Sequence, residues 1–228
     1  MKESLKTTLL PLYASLLNNI KQTEEIYPFC MQWGSNFPKE WNSGILFVGK
    51  ATNGWQFPTR DVNEVFLANG NGIFNRNDQM RWVEDVRYYS KSPFWRVIKN
   101  TTSNVYEPNH WYNYVAWSNL YKLSYGKGNP NTRLKREQSS LCIDILKEEI
   151  RALSPRFVVF LTSGWEDFFF NSIFSEKVPI WNKVTWSDHY QTHFTEHDGI
   201  TFIRSQHPER KPEKEHVEVL TQIINGVI

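Results

Sequence analysis

Short apolar runs alternate along the chain with stretches whose apolar residues recur at helical spacing. Ile45-Leu46-Phe47-Val48 is an unbroken apolar run between Gly44 and Gly49. It is too short for a helix and predicts a strand over 44–49, buried on both faces. Phe157-Val158-Val159-Phe160-Leu161 predicts a second such strand. Val115–Tyr121 predicts one ending near Asn119, and Thr201–Arg204 predicts the last strand of the chain. The stretch 176–199 reads as irregular, with a strand around Val184. Helical spacing appears over 3–22, where Leu9, Tyr13, Leu16, Leu17 and Ile20 share a face and Pro11 marks a kink or a late start. It appears again over 134–153, through Leu141, Ile145, Leu146, Ile150 and Leu153, and over 212–225, through Val217, Leu220 and Ile224. Ser92-Pro93 predicts the start of a helix over 91–104. Shorter helices are expected near Asp61–Ala68 and 165–175, and 23–43 reads as loop.

Strands alternating with helices predict an α/β fold: three α/β/α layers around a central, mostly parallel four-stranded sheet, in one domain spanning 1–228. Ligands of such sheets sit beyond the carboxyl ends of the strands. The turns there are Lys50–Trp55, Asn119–Lys122, Thr162–Trp165 and Ser205–Arg210. The first follows Gly49 and carries Asn53 and Gly54, so a ligand can approach its backbone closely.

Composition narrows the function classes. The 228 residues are 40% hydrophobic and 15% aromatic, enough for a sizeable core, and ten are Trp. A net charge of +2 is too small to imply nucleic-acid binding by bulk charge, though it leaves room for a local basic groove. Two cysteines, Cys30 and Cys142, form no CxxC pair, which argues against a disulfide framework or a structural zinc site. The first 22 residues lack a sustained apolar core and no run approaches the length of a membrane helix, so a cytoplasmic protein that does not engage membranes is expected. His189, His193 and His197 recur every four residues, but Gly199 and β-prone neighbours argue against the helix that would align them, so no metal is expected. Cys142 reads as a small core residue, Arg133-Lys135-Arg136 as a solvated helix start, and most Trp as core.

The four strand-end segments, in this order, resemble the uracil-DNA glycosylase superfamily, most nearly its iron–sulfur branch. The carriers are Gly49-Lys50-Ala51-Thr52-Asn53-Gly54-Trp55; Ser118-Asn119-Leu120-Tyr121-Lys122 with Gly128-Asn129-Pro130; the stretch from Ser140 to Trp165 around Cys142; and Ser205-Gln206-His207-Pro208. The resemblance covers roughly residues 44–210. It implies that Asn119 reads a base edge, that His207 donates to the carbonyl that gains charge, and that Trp55 or Phe57 stacks an extruded base, with Gly49 and Ser205 completing the ligand contacts. Departures accompany it. Lys50 stands where the family has an acidic or amide residue, leaving Asn53 to position a water, and Cys142 alone cannot hold an iron–sulfur cluster, so no cofactor is expected. A lysine beside a developing oxocarbenium ion opposes it. Two functions follow from the resemblance. One is a monomer that binds DNA, a nucleobase or a nucleotide and hydrolyses an N-glycosidic bond through Lys50, Asn53 and His207. The other is a catalytically inactive relative serving as a nucleic-acid-binding or protein-interaction module.

Overall fold

A computed structural model describes the chain except for residues 1, 22–23, 38–43, 53–54, 56, 68–72, 75–77, 79, 86–88, 107–108 and 175–178. Its elements in chain order are α1 (Lys2–Asn19), β1 (Tyr27–Pro28), β2 (Gln32–Trp33), β3 (Ile45–Gly49), α2 (Val62–Val65), α3 (Pro93–Val105), β4 (Val115–Asn119) and β5 (Leu123–Ser124). They continue with α4 (Thr132–Leu153), β6 (Phe157–Leu161), α5 (Asp167–Ile173), β7 (Asn182–Trp186), β8 (Tyr190–His197), β9 (Ile200–Ser205) and α6 (Glu213–Ile224). The α/β class is therefore correct.

The main sheet has seven strands, in the order β2-β4-β3-β6-β9-β8-β7. The expected count of four was too low. The strands read from apolar runs lie side by side as β4-β3-β6-β9. Register is parallel from β3 through β6 to β9, with Leu46 beside Val158 and Val158 beside Phe202. It is antiparallel from β9 through β8 to β7. In the stretch expected to be irregular, the strand expected around Val184 is β7, and β8 is a further strand that was not expected. The β8–β9 connection is Asp198-Gly199, both at positive φ, the geometry that matches a tight hairpin to strand twist. Strand β8 carries Gln, Thr, His and Glu in place of an apolar face, so hydrophobic period could not reveal it.

Two compact units divide the chain. The first comprises 1–32, 49–77 and 118–153; the second comprises 33–48, 78–117 and 154–228. In the first, α1 packs on α4 through the predicted stripe, and Leu9, Tyr13 and Leu16 are fully buried. Burial of that face carries the helix through Pro11, which neither ends it nor delays its start. Tyr27–Pro28 pairs with Leu123–Ser124, so 23–43 contains two short strands that were expected to be loop. Helix α4 starts two residues before its prediction because the Asn131 side chain accepts from the Leu134 N–H at 2.9 Å.

In the second unit α3 packs along α6, tied by the Arg96 guanidinium donating to both Glu213 oxygens. Ser92 caps α3 as expected, accepting from Trp95 N–H. Trp95 is the hub of an aromatic cluster, edge-on to Trp82 at 5.5 Å and to Trp117 at 4.9 Å, with Trp111 at 6.3 Å. Trp95 and Trp111 are buried, so the main fate of these indoles is core packing. Gly34 passes so close to this unit's 112–113 backbone that an added Cβ would lie 2.1 Å from Tyr112 O.

Candidate ligand-binding site

Strand β3 has β4 on one side and β6 on the other, so the order of the strands reverses there. The turn leaving its carboxyl end is where a sheet of this kind places a ligand. In the first unit that turn is fastened to the one leaving β4. Leu120 N–H donates to Gly49 O at 2.9 Å, and Tyr121 N–H donates to Lys50 O at 3.0 Å. The Thr52 and Ser124 hydroxyls meet at 3.2 Å. Phe29 N–H donates to Lys122 O at 2.7 Å, and the Phe29 ring stands edge-on to Trp55 with centroids 5.5 Å apart. Gly49, Lys50, Trp55 and Asn119 thus belong to one cross-linked patch. Trp55 is 8% exposed and Phe57 is half-buried. Asn53 lies outside the described residues.

Asn119 is the last residue of β4 and is 2% exposed. Its amide Nδ2 is buried and meets no acceptor. Such a donor costs about 1–3 kcal/mol unless something supplies an acceptor. The Ser118 hydroxyl and the Lys122 ammonium close to it are satisfied. Ser118 Oγ donates to Glu149 Oε2 at 2.6 Å and accepts from Lys122 Nζ at 2.6 Å. Lys122 Nζ lies 2.8 Å from the same carboxylate oxygen, and both side chains of the ion pair are fully buried. Lys122 N–H donates to Cys142 Sγ at 3.4 Å, while the Gln138 amide clasps both backbone groups of Leu123.

Burial keeps the remaining ionisable groups of this unit's core neutral. Burial is the chief reason the Cys30 thiol titrates well above its usual range, and the same cause pushes Cys142 up to about 12. Tyr13 is also raised, first by burial, and its hydroxyl donates to Phe29 O at 2.6 Å. Neither sulfur has the exposure or thiolate character of a nucleophile. Cys142 is a core residue, as its position on the stripe implied.

The second unit holds the closing turn. His207 N–H donates to Ser163 Oγ at 2.6 Å, His207 Nδ1 accepts from Glu209 N–H at 3.3 Å, and the ring lies nearly parallel to Phe94, centroids 6.2 Å apart. Ser205 is 4% exposed, and its hydroxyl belongs to an interior chain. Trp186 Nε1 donates to Thr192 Oγ1 at 3.0 Å, Thr192 and Ser205 hydroxyls meet at 2.6 Å, and Ser205 Oγ lies 2.9 Å from His216 Nε2. Burial, helped by His207 and Lys211, holds His216 down to about 3. Glu166, also buried, hydrogen-bonds Thr162 and lies 3.3 Å from Arg204 Nε. Burial raises its pKa above the usual carboxylate range.

Reading by residue type missed two buried carboxylates, Glu149 and Glu166. Glu149 had a visible signal, since it falls on the buried face of α4 between Ile145, Leu146 and Leu153, where an acid needs a partner. Glu166 stood three residues after Ser163 at a strand-to-helix turn. Asp61 is exposed, and its Oδ1 caps α2 by accepting from Asn63 N–H at 2.8 Å. Among the described residues no group of three or more His, Cys, Asp or Glu converges as a metal site, and no helix is long and apolar enough to cross a membrane. No protein-family model matches the chain, and no curated protein matches it.

Proposed function

We propose that the chain binds a nucleobase or nucleotide, free or within nucleic acid, at the paired turns of Gly49–Trp55 and Asn119–Lys122. The finer fold proposed with it is the three-layer uracil-DNA glycosylase arrangement, its four-stranded core being β4-β3-β6-β9. One observation carries the functional reading: Asn119 presents a buried amide donor without an acceptor at the end of β4, while the Ser118 hydroxyl beside it is met twice. A base carbonyl is a matching acceptor, and the half-buried Phe57, two residues past the Gly49–Trp55 turn, offers aromatic surface. The described part of that turn supplies Lys50, Ala51 and Thr52 but no carboxylate. A cation there suits a phosphate or an anionic base better than an oxocarbenium ion, which favours binding over N-glycosidic hydrolysis.

Titration with free uracil, hypoxanthine and xanthine, and with oligonucleotides containing them, tests this beside the Asn119→Leu variant. At least one ligand is expected to bind the wild type. Its affinity should fall about 5- to 150-fold in the variant, the equivalent of about 1–3 kcal/mol, while thermal stability holds or rises. No binding to any of them, or equal affinity in Asn119→Leu, overturns the proposal. A glycosylase assay on the same oligonucleotides, with His207→Ala as control, separates binding from base release.

A further inference from the structure

We propose that the buried Ser118–Lys122–Glu149 triad is a positioning device that holds the Asn119 amide in its ligand-ready orientation. The inference rests on the reading of Asn119 given above and adds the residues that act through it.

A fully buried Lys–Glu pair is a poor source of stability, because removing both charges from water offsets most of their attraction. Replacing such a pair with apolar residues of similar volume is often neutral or stabilising. The arrangement therefore calls for a reason other than stability, and its geometry supplies one. Ser118 and Lys122 lie at the two ends of the five-residue segment that contains Asn119, and both converge on one oxygen, Glu149 Oε2, at 2.6 and 2.8 Å. The Ser118 hydroxyl closes the triangle by accepting from Lys122 Nζ. Glu149 projects from α4, a helix of 22 residues packed on α1, so the convergence point is anchored in the most extensive helix pair of this unit.

Inside the clamp the backbone is hydrogen-bonded as well. The N–H groups of Leu120, Tyr121 and Lys122 donate to Gly49 O, Lys50 O and Cys142 Sγ, and Lys122 O accepts from Phe29. Successive strand residues point to opposite faces, so fixing Ser118 on the α4 side fixes Asn119 on the other. The other carboxylate oxygen, Glu149 Oε1, is buried without a donor. That further cost weighs against a purely stabilising role.

The test replaces the pair together, Lys122→Met with Glu149→Leu, and reads side-chain amide 15N relaxation of Asn119 alongside free-uracil affinity and melting temperature. The double variant is expected to fold with a melting temperature at or above that of wild type. Its Asn119 amide should gain fast motion, and uracil affinity should fall at least about tenfold, the discrimination one well-placed hydrogen bond provides. Unchanged Asn119 relaxation in a folded double variant overturns the positioning role, whatever uracil does. A wild type that ignores uracil overturns the ligand reading alone, and the relaxation data still decide the positioning one. If the double variant does not fold, Ser118→Ala, which keeps the ion pair and removes the hydroxyl bridge, is measured in the same way. A mobile Asn119 amide there supports the proposal, and an unmoved one overturns it.

Discussion

Replacing His216 by glutamine isolates one titration from the rest of the molecule. His216 is fully buried, its Nε2 lies 2.9 Å from Ser205 Oγ, and its ring stacks on Trp186 at 4.6 Å. Its pKa falls from 6.5 to about 3 in the folded chain, first through burial and then through His207 and Lys211. The unfolded state therefore binds the proton more readily, and stability declines as pH falls below about 6.5 until the folded histidine itself protonates near 3. Between pH 7 and pH 5 the unfolded form gains most of one proton and the folded form almost none, a loss of about 2 kcal/mol. Glutamine keeps a polar atom for Ser205 and cannot titrate. Urea unfolding at the two pH values should show wild type losing about 2 kcal/mol more than His216→Gln, or about 1 M in midpoint for a slope near 2 kcal/mol/M. Equal losses in the two proteins, or an imidazole that titrates near 6.5 by NMR, would refute the reasoning.

Other consequences are as direct. Cys30 and Cys142, buried and held as thiols, should resist a disulfide reagent at pH 8 in the native protein and both react in denaturant; rapid native modification of either would contradict their burial. Gly34→Ala drives a methyl to 2.1 Å from Tyr112 O and 2.4 Å from Asn113 backbone atoms, so thermal unfolding should show a loss of about 3 kcal/mol or more, and a variant as stable as wild type would count against this packing. Tyr13→Phe removes the donor to Phe29 O and should destabilise by about 1–3 kcal/mol in chemical denaturation. Lys50→Met should weaken oligonucleotide binding and flatten its salt dependence by about one unit of slope; an unaltered salt slope would remove Lys50 from the phosphate path.

Much of the architecture was legible in the order of residues because it depends on local pattern. Continuous apolar runs located β3 and β6, since strands buried on both faces need apolar side chains at every position. Helical stripes located α1, α4 and α6 because each helix buries one face. Ser92-Pro93 located the start of α3 through a cap that is a property of adjacent residues. The strand expected around Val184 is β7, but β8 escaped because it is polar, although Asp198-Gly199, its turn into β9, carried a signal. The short strands β1 and β2 escaped because two residues have no period. Each exists only through a partner far along the chain: Tyr27 opposite Ser124 for β1, β4 for β2.

The candidate site divides in the same way. Asn119 and Lys50 were visible as strand-end residues, since strand ends follow from strands. What Asn119 does depends on the groups around it, and only the tertiary structure decides that its amide is buried and unmet while Ser118 beside it is met twice. Lys122 and Glu149 stand 27 residues apart, and no local rule joins them. They become a pair because α4 brings Glu149 to the end of β4, where a charge excluded from water must find an opposite one.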